Sequence, residues 1–164
     1  SGVVVEDAAG STPTLTGGSG NGAAGSVPTP GPVRFLETGK FRDLSNRAVV
    51  GDDLTPDKIP SFAALKENAE RALNRRLTDV ESEDLYNNAN CLMVRTCDHL
   101  KASRSYGGRN TSEQIQSDAD DLGVAQELDL QTYRERWIAE GMSAKEIDAA
   151  FEAHRANNRR KGIE

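Results

Sequence analysis

From Ser61 onward the apolar residues recur at the spacing of helix faces. Phe62, Leu65, Ala69, Ala72, Leu73 and Leu77 share one side of a predicted helix, and Ser61 after Pro60 is its N-cap. Glu67 and Arg71 pair one turn apart on the other side. Thr78 with Glu81 forms a capping box for a second and longer helix. Its stripe is Leu85, Ala89, Leu92, Met93, Thr96 and Leu100, and it runs to about Tyr106, where Gly107-Gly108 stops it. Thr111 with Gln114 caps a short helix ending near Gly123. Asp129 opens another, with Leu130, Tyr133, Trp137 and Ile138 inward and Gly141 at its end. Ser143 with Glu146 caps the last helix, which buries Ala144, Ile147 and Phe151 and ends near Gly162. The pattern predicts an all-α fold, a small helical bundle or helical-hairpin body of about five helices over residues 61–164.

Upstream the periodicity is lost. All six prolines and ten of the fifteen glycines lie in the first 60 residues, which sets a sharp boundary at Ser61. Residues 1–34 read as an extended low-complexity arm and residues 35–60 as an irregular connector anchored by Phe35, Leu36, Phe41 and Leu44. Ordering such an arm costs about 1 kcal/mol per residue, which its few apolar side chains cannot offset. The expectation is that neighbouring subunits order it. Val3-Val4-Val5 is β-prone and suited to the edge of a partner's sheet. Leu15, Val27 and Phe35 are the other apolar partner contacts, and Arg155, Arg159 and Arg160 form a basic tip for an acidic partner or for nucleic acid.

Composition narrows the classes. A 164-residue chain that is 36% hydrophobic and 5% aromatic builds a modest core of Leu, Ala, Val and Ile. Its net charge of −6 disfavours a wholesale nucleic-acid binder, so nucleic acid is the less favoured partner. No apolar run approaches the ~20 residues of a membrane span, and no signal peptide is visible. Two cysteines, Cys91 and Cys97, fit a reducing compartment, so the expected location is a virion or the cytoplasm.

The motif matches fail on context. Gly20-Asn21-Gly22-Ala23-Ala24-Gly25 has the spacing of a dinucleotide fingerprint, but Pro28, Pro30 and Pro32 prevent the helix that the fingerprint requires. Asp118 to Gly123 resembles the start of an EF-hand loop, but Leu122 stands where an oxygen ligand belongs and Asp129 replaces the bidentate Glu. On a straight helix Cys91, Cys97 and His99 point in different directions, with Cys97 toward the core and Cys91 toward the surface, so no metal site is expected. Trp137 to Ile147 resembles the first two helices of a helix-turn-helix unit, yet Lys145, Glu146 and Asp148 are poor readers of base edges. No P-loop, HExxH or GxSxG is present.

The reading that follows is a non-enzymatic structural subunit of a large multi-protein assembly, without cofactor or metal. A tailed-phage virion component (head, tail, connector or internal, ejected protein) is the preferred example, with other subunits of the assembly as partners. The alternative is a small DNA-binding or regulatory adaptor using the helix-turn-helix-like region 129–161.

Overall fold

The computed structural model describes residues 31–164. Among these residues the elements are β1 (Thr38–Lys40), α1 (Phe41–Asn46), β2 (Leu54–Lys58), α2 (Phe62–Leu73), α3 (Asp79–Asn88), β3 (Asn90–Arg95), α4 (Thr96–Ala102), a 3-10 turn (Gly107–Arg109), α5 (Ser112–Asp120), α6 (Leu122–Ala139) and α7 (Ala144–Arg159). The three strands form an antiparallel sheet in the order β1-β3-β2. The fold is therefore mixed α/β, which corrects the all-α expectation.

The correction has two physical sources. The expected long second helix is instead α3, β3 and α4 in succession. Cys91, Leu92, Met93 and Val94 are four consecutive apolar residues, and all are fully buried. On a helix they would sweep about 300° of its circumference, leaving no polar face. On a central strand they cover both faces of the sheet, which this core requires. The Asn87-Asn88-Ala89-Asn90 run ahead of them ends α3, with Ala89 in an extended conformation. The other two strands come from residues 35–60, where short length and Pro56 hide the alternation of a strand. Pro56 is tolerated because β2 is an edge strand.

β3 separates two cores. Leu92 and Val94 pack with Ile59, Leu130, Tyr133, Trp137, Ile147 and Phe151 beneath α6 and α7. Cys91 and Met93 pack on the opposite side with Val33 and Leu44. Cys91 is thus buried and Cys97 exposed, the reverse of the helical expectation. A third cluster of Ala64, Leu65, Ala89, Leu122 and Ile163 joins α2 to the start of α6.

The expected caps on α2, α3, α5 and α7 are present. Ser61, Thr78, Thr111 and Ser143 each accept from a backbone N–H three residues on, and Glu81 completes the box at Thr78. Gly141 ends α6 with φ +88°, a conformation a side chain would strain. The start of α6 lies earlier than Asp129. Asp121 caps it, and Gly123 sits in its first turn, where a Cβ would lie 1.9 Å from the Glu164 carbonyl oxygen. The Asp118–Gly123 stretch is therefore a helix junction. Among the described residues no helix is long and apolar enough to cross a membrane.

Candidate active site

The free edge of β2 opens into a cleft of about 560 Å³. Thr55, Pro56, Asp57 and Lys58 run along its floor. Phe41, Phe62 and Tyr86 stand on one side, and His99, Ser105 and Asn110 on the other. The register explains this arrangement. Asp57 pairs with Leu92 and shares its face, toward α4 and α6, while Lys58 pairs with Cys91 and faces α1 and α3. Adjacent residues of one strand thus reach the cleft from opposite sides of the sheet.

Asp57 is 6% exposed. One oxygen, Oδ2, accepts a hydrogen bond from the Tyr133 hydroxyl at 2.6 Å. The other, Oδ1, lies 3.6 Å from His99 Nδ1, too far for a hydrogen bond and close enough for strong attraction if the imidazole is charged. That Nδ1 is buried and has no hydrogen-bond partner. The His99 ring stands edge-on to Tyr106, with centroids 5.2 Å apart, which fixes its plane. Burial, followed by the charge of Asp57, pushes the Tyr133 phenol far above its usual range, so it stays a donor.

Buried polar groups hold the end of β2 in place. Ile59, just beyond the strand, presents its carbonyl to His154 Nε2 at 2.7 Å and to the Asn158 amide at 2.9 Å. Asn158 in turn accepts from Asn90 and donates to Gln126. Burial holds the His154 imidazole below its ordinary pKa, so it serves as a neutral donor. Beneath the cleft Arg104 bridges Asp118 at 2.9 Å and Asp129 at 2.7 Å. Burial pushes the Asp129 carboxyl up to about 7 even with Arg104 beside it.

Lys58 completes the floor. Its Nζ lies 3.6 Å from the centroid of the Phe41 ring and 3.6 Å from that of Tyr86. The cleft therefore carries a carboxylate, an imidazole and an ammonium along one sheet edge, a set that can activate water and meet a negatively charged substrate.

The residues predicted from sequence lie elsewhere. Val3, Val4, Val5, Leu15 and Val27 are outside the described residues. Phe35 packs edge-on against Trp137 at 5.1 Å as part of the core. Arg155 pairs with Glu127, Arg159 with Glu152, and Arg160 donates to Asn157. The basic tip is largely compensated by its own neighbours. The sequence suggests Asp57 only as a loop cation ligand beside Asp52 and Asp53, with a solvated loop the better reading, and His99 only beside Cys91 and Cys97. It does not group Asp57, Lys58 and His99, because nothing in their spacing shows that β2 and α4 meet.

No family model matches the chain, and no solved structure does. The chain is 40% identical over 131 residues, 80% of its length, to a protein of Dickeya dadantii (strain 3937) named deoxyribonuclease CdiA. It spans about 4% of the length of that curated relative. The similarity overturns the expectation of a non-enzymatic virion subunit, since the relative is named for an enzyme and not for a structural role. It lends no support to assembly subunits as partners, and a relative named for acting on DNA is consistent with nucleic acid as a partner.

Proposed function

We propose that the chain is a nuclease domain that hydrolyses phosphodiester bonds of DNA in the cleft at the β2 edge. The observation that carries the reading is the approach of Asp57 to His99 in that cleft, in a chain similar to a named deoxyribonuclease. With Nδ1 turned toward Asp57, His99 keeps Nε2 to take a proton from the attacking water. Asp57, held by Tyr133, orients the ring and stabilises the imidazolium that forms. Catalytic contacts are often loose before substrate binds, and the 3.6 Å gap fits that pattern. Lys58 supplies positive charge for the phosphate oxygens as the fifth bond to phosphorus forms. The P–O bond to the sugar then breaks, the leaving oxygen taking a proton from solvent water while His99 gives up the one it accepted.

A second reading has one observation in its favour. Two donors 3.6 Å apart, one of them an orphaned nitrogen, fit around a single divalent cation. Among the described residues no three such side chains converge, so water and phosphate would supply the remaining ligands.

The test is cleavage of plasmid DNA by the purified chain and by His99→Ala, with magnesium and with a chelator. The account expects cleavage by the parent and a loss of about 10²- to 10⁴-fold in the variant. Activity that survives the chelator selects the general-base reading, and activity abolished by it selects the cation. Equal rates for parent and variant, or an inert parent in both buffers, would remove the assignment.

A further inference from the structure

The arginines of this molecule are mostly neutralised where they stand. Arg47, Arg71, Arg75, Arg134 and Arg155 each pair with a carboxylate, and Arg104 pairs with two. Lys58 is held differently. Among the described residues it makes no ion pair, and its ammonium sits 3.6 Å from two aromatic centroids. Phe41 and Tyr86 meet edge to face at 4.8 Å, and Phe62 braces Tyr86 at 5.1 Å from a third helix, so the rings cannot easily drift. Each ring attracts the ammonium through its quadrupole. A quadrupole restrains a cation without cancelling its charge, whereas a carboxylate would do both.

Resting on the nuclease reading above, we propose that Phe41 and Tyr86 are positioning residues that fix the Lys58 ammonium in the cleft as a full, unneutralised charge for the substrate phosphate. A free lysine would lose rotamer entropy each time it met the phosphate. The two rings impose that order during folding, so the charge is in place before the substrate arrives. Tyr86 acts through its ring face and needs no hydroxyl. It is 39% exposed, so replacing it leaves the cores intact.

The experiment is a double-mutant cycle in kcat/KM for DNA cleavage with Tyr86→Leu, Lys58→Met and the pair together. Each single change is expected to cost about tenfold, and the double variant to be no slower than Lys58→Met alone. Tyr86→Phe should stay within about twofold of the parent, and Phe41→Leu should reproduce Tyr86→Leu. Losses that multiply in the double variant, or full activity in Tyr86→Leu, would overturn the proposal. If Lys58→Met cuts at the parent rate while His99→Ala does not, this inference fails and the nuclease reading stands. If His99→Ala also cuts at the parent rate, the nuclease assignment itself fails.

Discussion

Asp57 and Asp98 are two buried aspartates served by the same helix, and they are finished very differently. Tyr133 and Trp137, one turn apart on α6 and stacked at 5.1 Å, each give one a hydrogen bond. Asp98, fully buried on α4, also accepts from Arg95 at 2.6 and 2.9 Å and from Arg136 at 2.5 Å. Both of its oxygens are saturated. Burial alone would raise the Asp98 carboxyl, but Arg95, the Trp137 indole and Arg136 outweigh it and hold it below the usual range. Asp57 has Tyr133 and an imidazole that stops short at 3.6 Å. A buried carboxylate with all its donors in place has nothing left to offer a substrate. One left a donor short and facing a cleft can still change partners, which is what proton transfer needs. Asp98 therefore secures α4 against α6, and Asp57 is the one left able to serve the proposed chemistry at the place that α4 and α6 define.

The comparison breaks most visibly at Asp98. Asp98→Ala takes the acceptor from the buried Trp137 indole N–H and leaves the Arg95 and Arg136 guanidinium groups with Glu140 alone, and should cost about 3 kcal/mol by chemical denaturation. A loss below about 1 kcal/mol would show that Asp98 is no keystone. Tyr133→Phe removes the one hydrogen-bond donor that Asp57 has among the described residues and should cost about 2 kcal/mol, read from the same midpoint shift.

Acid sharpens the contrast further, because His154 is pinned neutral against the strand that carries Asp57. Its folded pKa is depressed below the ordinary 6.5, so the unfolded chain binds the proton more readily. The part of the stability that belongs to His154 should therefore be level above 6.5 and fall as the pH drops below it, while Asp129, raised to about 7, works in the opposite sense. The stability difference between the parent and His154→Gln should therefore shrink with falling pH in a series of melting curves. The smallest effect belongs to the exposed tip. Arg155→Ala breaks the pair with Glu127 and should change stability by less than about 1 kcal/mol.

What the sequence made legible was local. Caps at Ser61, Thr78, Thr111 and Ser143 and the stop at Gly141 depend on neighbours within a turn, and each is where the residues indicated. What it concealed was long-range. The run from Cys91 to Val94 is ambiguous between a buried helix and a buried strand until its partners are known, and those partners are strands of three and five residues. Without the strand pairing, Asp57 is a loop acid and His99 a helix residue, 42 positions apart with nothing to connect them. The one cue was the run of four apolar residues, too wide for any amphipathic helix face.

The central claim is that the unsaturated carboxylate does the chemistry while the saturated one holds the fold. Asp57→Asn tests it most directly, because the amide oxygen still accepts from Tyr133 but the charge facing His99 is gone. Measured on one preparation, the account predicts a denaturation midpoint within about 1 kcal/mol of the parent. It predicts DNA cleavage lower by about 10²-fold or more. A variant that cuts DNA at the parent rate, whatever its stability, would contradict the account.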